Sequence, residues 1–295
     1  MVFAVNYHKE DVINHLWNRL ADCDLCPRNC GVNRLRGERG FCGGGVQVKI
    51  ASFHPHGGEE FLLSGSQGSG TIFFSGCNMR CVYCQNYSIS QGREGEELTE
   101  EELTQIMFFL QNQGCHNINL VTPTHFIPQI FSSLLKGKDC GLSVPVVYNT
   151  GGYDKKEVLE KIEGLVDIYL PDMKYAREES ACKYSEAQDY PRINREAVRE
   201  MFRQVGEVEW EGGVAKRGLI VRILIIPSLE EEAKENLRFL AENISRSVFV
   251  SLMKQYRPCY KADLFPELSR SVDERTYQEI INYARGLGLR NLILQ

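Results

Sequence analysis

Short apolar runs and longer amphipathic stretches alternate along most of this 295-residue chain. The short runs are rich in β-branched and aromatic residues and have the length of buried strands. They are Thr71–Ser75, Asn117–Thr122, Val144–Asn149, Val166–Leu170, Leu219–Ile226 and Val248–Leu252, with a weaker run at Asn291–Leu294. Between most of them, helical spacing is found in Glu100–Gln111, Lys155–Ile162, Ile193–Val205, Glu231–Glu242 and Glu274–Ala284. Helices of this length suit crossovers between parallel strands, so the pattern predicts an α/β fold with a parallel sheet.

The number of strand–helix units narrows the architecture. Six strong units are fewer than the eight of a closed TIM barrel, which favours a partial (β/α)6 TIM-like barrel. A doubly wound open sheet is the alternative. In both architectures functional residues collect at the carboxyl ends of the strands, so the residues after each run are the candidates for a site.

The N-terminal part of the chain has a different pattern. Val12, Ile13, Leu16 and Leu20 have helical spacing and predict one amphipathic helix over His8–Cys23. The following residues, to about Gly70, are rich in Gly, Arg and Ser, as in a small module organised by bound ligands. We therefore predict a helix and cysteine-rich module in residues 1–66 and a barrel in residues 67–295.

Composition and charge exclude several classes of protein. Hydrophobic residues make up 43% and charged residues 25% of the chain, as in a globular protein with a full-sized core. A net charge of -5 lacks the basic excess that nucleic-acid binding favours. The sequence contains neither an apolar run of about 18 residues nor a signal-peptide core, so we expect no membrane segment and a cytoplasmic location.

The cysteines are the anomaly of the composition. Of the eleven, seven fall into two tight groups. The first comprises Cys23, Cys26, Cys30 and Cys42, and the second Cys77, Cys81 and Cys84. Because a reducing compartment keeps thiols free, grouped cysteines without a secretion signal indicate metal ligands rather than disulfides.

The three-cysteine loop directly follows the first predicted barrel strand. Its x3 and x2 spacings allow three thiolates to bind three irons of a [4Fe-4S] cluster, leaving the fourth iron without a protein ligand. A zinc site with a distant fourth ligand, or a loop without metal, are the alternatives. The position at a strand end indicates an active site.

The loop, with Tyr83 before its last cysteine, resembles the Cys-x3-Cys-x-aromatic-Cys loop of the radical S-adenosylmethionine (SAM) superfamily. The resemblance implies that SAM binds the open iron and that its reductive cleavage yields a 5′-deoxyadenosyl radical. Further segments resemble a subgroup related to pyruvate formate-lyase activating enzyme. They are Gly68–Thr71, Thr122–His125, Tyr148–Tyr153, Tyr169–Tyr175, Val221–Pro227 and Met253–Pro258.

This resemblance also implies roles for residues outside the loop. Asp172 and Lys174 match an Asp-x-Lys segment near SAM, and Asn149–Thr150 match an Asp-Thr pair that holds a monovalent cation beside the SAM carboxylate. Arg222 matches a strand arginine that approaches SAM, and Tyr83 matches the aromatic beside adenine. A solvated carboxylate at Asp172, a structural ion pair at Arg222 and simple packing of Tyr83 are the alternatives.

One motif departs from the family pattern. Relatives commonly hold the SAM amino group with a Gly-Gly-Glu turn, whereas this chain has Thr122-Pro123-Thr124-His125. The Thr124 hydroxyl or His125 would have to accept that hydrogen bond. We take Thr124 as the candidate.

The four-cysteine group has the spacing x2, x3 and x11 and supplies a complete tetrahedral set of soft ligands. Zinc and an auxiliary iron–sulfur cluster both accept four thiolates, and free thiols are the remaining alternative.

Three functions are compatible with these features. The first is an activating enzyme that installs a glycyl radical on a partner protein, and the second is a radical SAM enzyme that modifies a peptide or a small molecule. The third, a metal-binding scaffold without turnover, is disfavoured by the intact three-cysteine loop. Either enzyme needs a reductant such as flavodoxin or ferredoxin.

Overall fold

A computed structural model describes residues 11–295. The chain divides into two compact units. The first comprises Met1–Asn78, as far as it is described, with Ser88–Asn149 and Asp154–Asp167. The second comprises Met79–Tyr87, Thr150–Tyr153 and Ile168–Gln295. The boundary between residues 66 and 67 stays a prediction. No helix within the described residues is long and apolar enough to cross a membrane.

Six α-helices and five strands of the described residues lie wholly or mainly in the first unit. They are α1 (residues 11–18), β1 (Val48–His56), α2 (Phe61–Ser64), β2 (Ser69–Phe74), α3 (Tyr87–Ser90), β3 (Glu96–Leu98), α4 (Glu100–Asn112), β4 (Ile118–Val121), α5 (Ile127–Asp139), β5 (Val146–Thr150) and α6 (Lys156–Lys161). The strands β2, β4 and β5 are parallel neighbours. The strand β1 pairs antiparallel with both β2 and β3.

Local sequence explains why α4 begins and packs as it does. The Thr99 hydroxyl accepts a hydrogen bond from the Glu102 amide at 3.2 Å, and the Glu102 carboxylate accepts one from the Thr99 amide at 2.8 Å. This capping box satisfies two amides at the helix start. The apolar face then buries Leu103, Ile106, Met107 and Leu110, the spacing of a helix packed on a sheet.

The second unit repeats the strand–helix alternation. Its elements are β6 (Ile168–Pro171), α7 (Glu178–Ser185), α8 (Tyr190–Val205), β7 (Glu209–Glu211), β8 (Val214–Leu224), α9 (Glu230–Asn243), β9 (Phe249–Met253), α10 (Glu274–Gly286) and β10 (Asn291–Leu294). The parallel strands follow the order β6, β8, β9, β10, and β7 pairs antiparallel with β8.

The predicted α/β class with parallel strands is confirmed, and each predicted strand run overlaps a parallel strand. The N-terminal helix is present over residues 11–18, while His8–Glu10 lie outside the described residues. The sequence pattern missed α5, because Gln129, Ser133 and Gly137 lie among its buried apolar residues and obscure the helical period.

Candidate active site

Two strands of the second unit end beside a cluster of charged side chains. Asp172 and Lys174 follow β6, and Arg222 lies near the end of β8. The backbones of Asp172 and Arg222 pair in parallel, just beyond the end of β6. Lys174 Nζ lies 2.6 Å from one Asp172 carboxylate oxygen, and Arg222 Nε lies 2.9 Å from the other. We call these three residues the clamp.

The clamp keeps its charges although it is largely buried. Burial alone would raise the pKa of Asp172, but the positive charges of Arg222 and Lys174 outweigh burial and hold that pKa below its usual value. Burial would lower the pKa of Lys174, but the Asp172 carboxylate outweighs it and raises that pKa. The clamp therefore contains two positive charges and one negative charge. The remaining positive charge suits an anionic group such as a carboxylate.

A cavity of about 220 Å³ connects the clamp with the cysteine loop inside the second unit. It is lined by Cys81, Tyr83, Cys84, Gln85, Asn86, Asp172, Lys174, Arg222, Leu224, Met253 and Gln255. The structure thus brings together six residues that the sequence had singled out separately: Cys81, Tyr83, Cys84, Asp172, Lys174 and Arg222.

Backbone hydrogen bonds fix the loop that carries Cys81 and Cys84. The amides of Arg80 and Val82 donate to the carbonyls of Ser185 and Tyr184, at the end of α7. The Cys84 amide donates to the Cys81 carbonyl at 3.1 Å and closes a tight turn. Cys81 is buried, which raises the pKa of its thiol, whereas Cys84 is half-buried.

The remaining loop cysteine, Cys77, belongs to the first unit and is half-buried. The preceding residue must be glycine, because Gly76 has a φ of 87° and a Cβ atom there would lie 2.3 Å from the Cys42 carbonyl oxygen. The shared ligation of one cluster by Cys77, Cys81 and Cys84 stays a prediction from their spacing.

The other predicted SAM-binding positions make contacts within their own units. In the first, Thr124 Oγ1 donates to Asp154 Oδ1 at 2.7 Å, and Asn149 O accepts from the Thr122 amide at 2.8 Å. In the second, the Thr150 carbonyl accepts from the Asp172 amide at 2.9 Å. Thr150 thus supports the clamp through its backbone.

His125 is a buried, neutral imidazole in the first unit. Burial lowers its pKa to about 4, and its Nε2 lies 2.8 Å from the Ser75 carbonyl oxygen. Since a carbonyl only accepts, Nε2 carries the proton and Nδ1 is the acceptor. Within residues 11–295, Nδ1 has no hydrogen-bond partner.

Sequence reasoning missed several residues of the cavity. Gln85 and Asn86 directly follow the last loop cysteine, and Gln255 comes after the end of β9. Their position at a strand end or beside the loop was the available signal. Their side chains offer neutral amide donors and acceptors, which are common in loops and carry no distinctive pattern.

The four N-terminal cysteines line a separate small cavity in the first unit, together with Arg34 and His125. Burial, and then the neighbouring thiols, raise the pKa of Cys26 to about 12. Within the described residues, no three His, Cys, Asp or Glu side chains are already arranged to hold a metal ion. Metal binding by these cysteines therefore stays a prediction.

Comparison with known proteins identifies the family. The model of the radical SAM superfamily matches residues 71–252. This chain belongs to the radical SAM superfamily. An uncharacterised protein of Methanocaldococcus jannaschii, MJ0674, is 31% identical over 276 residues, covering 89% of this chain and 73% of that protein. The superfamily assignment implies a [4Fe-4S] cluster and SAM as cofactors.

A solved structure supports the fold. Streptococcus suis SuiB bound to the precursor peptide SuiA has a TM-score of 0.53 and 12% identity, covering 74% of this chain and 46% of SuiB. The chain thus spans less than half the length of SuiB. A domain of pyruvate-formate lyase-activating enzyme from Bacteroides vulgatus is 14% identical and has a TM-score of 0.39, covering 66% of this chain and 91% of that domain. The superfamily match and the SuiB likeness confirm the predicted radical SAM fold class.

Proposed function

We propose that this radical SAM protein reductively cleaves SAM to form a 5′-deoxyadenosyl radical at a [4Fe-4S] cluster held by Cys77, Cys81 and Cys84. The observation that carries the proposal is the shared cavity of the second unit. Two of the three thiols and the positively charged clamp line the same space. Soft ligands for iron and a site for a carboxylate are thus combined, as SAM chemistry requires.

The donor set of the cavity fits the proposed groups. Cys81 and Cys84 supply thiolates, and Ser185 Oγ donates to Cys81 Sγ at 2.9 Å, a contact that favours the thiolate. Lys174 and Arg222 retain positive charge to bind the SAM carboxylate, and Asp172 orients both. When bound, the cluster supplies the electron that breaks a carbon–sulfur bond of SAM. The residues themselves bind and orient SAM.

Several further roles belong to the same proposal. Tyr83, which lines the cavity, contacts the adenine ring in this proposal. Asn149 and Thr150 provide oxygens for a monovalent cation, and Thr124 accepts from the SAM amino group. Flavodoxin or ferredoxin serves as the electron donor. A cytoplasmic location follows from the need to keep these thiols reduced.

Anaerobic reconstitution tests the cleavage reaction. Reduced protein incubated with SAM is expected to produce 5′-deoxyadenosine, and replacing Cys77, Cys81 and Cys84 together by Ala is expected to abolish it. Retention of the normal rate in that variant would overturn the assignment of the loop.

We propose a backbone glycine of a partner protein as the hydrogen donor. The support is the resemblance of Tyr169–Tyr175 and the other quoted segments to activating enzymes. Because a primary carbon radical abstracts only from a C–H bond at near-attack distance, the partner must present an extended loop to the cavity. Modification of a peptide or a small molecule is the second candidate, favoured by the missing Gly-Gly-Glu turn.

The substrate is tested separately from SAM cleavage. Reduced protein and SAM are mixed with glycyl-radical enzyme candidates from the same cell, and electron paramagnetic resonance (EPR) monitors a glycyl signal. Appearance of that signal supports an activating enzyme. Conversion of a peptide or metabolite, with none of the proteins gaining a radical, replaces the first candidate by the second.

We also propose that Cys23, Cys26, Cys30 and Cys42 bind one metal centre. The support is Arg34, which is 1% exposed. Its guanidinium donates to the carbonyls of Gly45 and His125, and its Nη1 lies 4.0 Å from Cys23 Sγ. Among residues 11–295, no carboxylate forms an ion pair with Arg34.

A buried cation needs a counter-charge, and a metal bound by four thiolates provides one. Two backbone amides also point at these sulfurs: Phe41 N lies 3.5 Å from Cys30 Sγ, and Gly44 N lies 3.4 Å from Cys42 Sγ. The small cavity that these thiols line has a volume of about 10 Å³.

Elemental analysis distinguishes the alternatives. One zinc per chain beside the iron of the loop supports a zinc site, and additional iron supports an auxiliary cluster. Replacing Cys26 by Ala is expected to remove the additional metal. An unchanged metal content in that variant would contradict metal binding by this group.

A further inference from the structure

Three buried hydroxyl groups of the second unit form a continuous chain that ends at a cysteine sulfur. The hydroxyls of Tyr83 and Tyr175 lie 2.7 Å apart, and those of Tyr175 and Ser185 also lie 2.7 Å apart. Ser185 Oγ lies 2.9 Å from Cys81 Sγ. Tyr83 is 4% exposed, and Tyr175 and Ser185 are fully buried.

The hydrogen bonds that link these hydroxyls to Cys81 all run in one direction when Cys81 is a metal-binding thiolate. A thiolate can only accept, so the one Ser185 hydroxyl proton is donated to sulfur. Tyr175 must then donate to the Ser185 oxygen, and Tyr83 must donate to the Tyr175 oxygen. Each hydroxyl polarises the next, so the three dipoles point at Cys81 and strengthen one another.

The surrounding structure holds this chain in place. The Arg80 and Val82 amides donate to the backbone carbonyls of Ser185 and Tyr184, on either side of Cys81 in the loop. The Tyr83 ring meets the Tyr175 ring edge to face, at a centroid distance of 6.5 Å. The Tyr175 ring packs similarly against Tyr190, at 5.5 Å. The sulfur and the hydroxyl donor are thus fixed from both sides.

We propose that the chain Tyr83–Tyr175–Ser185, here called the hydroxyl relay, sets the reduction potential of the iron site that Cys81 ligates, with Ser185 as a positioning residue. The proposal rests on the proposed function. Reduction places additional negative charge on the ligand sulfurs, so a donor to sulfur stabilises the reduced form more than the oxidised form. Hydrogen bonds to sulfur are an established means of tuning such potentials.

The test is the midpoint potential of the reconstituted protein in the absence of SAM, measured by EPR-monitored redox titration. Ser185→Ala removes the direct donor and is expected to shift the potential to a more negative value. Tyr175→Phe keeps the side-chain shape and removes only the polarising hydroxyl, so a smaller shift in the same direction is expected. Tyr83→Phe is expected to give the smallest shift.

Tyr277→Phe is the matched control. The Tyr277 hydroxyl is also buried and donates to the Leu252 carbonyl at 2.8 Å, but it lies on α10 outside the relay. Its removal is expected to leave the potential unchanged. Iron and sulfide content are measured for every variant, so that loss of the cluster is separated from a shift in potential.

Two outcomes overturn the relay. One is an unchanged potential in both Ser185→Ala and Tyr175→Phe with full iron content, and the other is an equal shift in Tyr277→Phe. If Ser185→Ala fails to fold, Tyr175→Phe decides alone because its shape is retained. Failure of the proposed function is seen separately, as absence of SAM cleavage by the wild-type protein.

Discussion

The thiols of the two cysteine groups lie in different surroundings. Cys81 and Cys84 line a cavity of about 220 Å³ together with charged and amide side chains. The four N-terminal cysteines line a much smaller space of about 10 Å³ beside a buried arginine. An incomplete ligand set with room beside it allows a substrate to bind the metal, whereas a complete and enclosed set stabilises a fold. Access, rather than the ligand type, separates the two proposed roles.

The largest expected effect comes from removing one ligand in each group. Cys84→Ala is expected to reduce 5′-deoxyadenosine formation to background, because the open iron site is lost. Cys26→Ala is expected to lose the N-terminal metal and lower the melting temperature, with SAM cleavage by the surviving folded protein retained. Equal loss of cleavage in both variants, at equal folded fraction, would remove the distinction between the groups.

The buried arginine gives the next largest effect. Arg34→Met is expected to destabilise the metal-loaded protein by about 3–5 kcal/mol, since a charged thiolate centre loses its buried partner. After metal removal by a chelator, the same substitution is expected to cost much less, because burial raises the pKa of Cys26 and Cys42 and these two thiols are then neutral. Urea unfolding of both proteins, with and without metal, measures the difference. An equal cost in both states argues against Arg34 as the counter-charge.

A substitution in the clamp is expected to weaken SAM binding, with an effect of intermediate size. Arg222→Met removes one of its two cations and is expected to raise the KM for SAM roughly 10- to 100-fold, the size of a charged hydrogen bond. Arg217→Met, at an exposed position of the same strand, is the control. If the two variants have the same KM, Arg222 has only a structural role.

The smallest effect is a pH dependence of stability. The folded-state pKa of Asp172 is held below its ordinary value of 3.8, so its contribution is complete above that value and is lost as the pH falls through the folded pKa. The free energy of unfolding of the metal-free wild type should therefore approach that of Asp172→Asn in acid. If the difference in unfolding free energy between the two proteins stays constant from neutral pH into acid, Lys174 and Arg222 do not stabilise the Asp172 carboxylate.

Sequence and structure contribute unequally to this account. Strand and helix positions followed from periodicity, and the loop followed from its spacing. The residues after β6 were identified because their Asp-x-Lys segment resembles that of activating enzymes, and their position at a strand end agrees with such a role. The hydroxyl relay could not be predicted, since Tyr83, Tyr175 and Ser185 are far apart in sequence and carry no spacing signal. The same holds for Arg34, whose burial depends on packing against His125 and Gly45.

The central claim, that SAM binds at the three-cysteine loop and not at the four-cysteine module, has one direct test. The EPR spectrum of the reduced, reconstituted protein is recorded before and after addition of SAM, in the wild type, in Cys26→Ala and in the Cys77, Cys81 and Cys84 triple Ala variant. We predict that SAM perturbs the iron–sulfur signal of the wild type and of Cys26→Ala. The triple variant should show no SAM-dependent change. A SAM-dependent change that persists in the triple variant and disappears in Cys26→Ala would contradict the account.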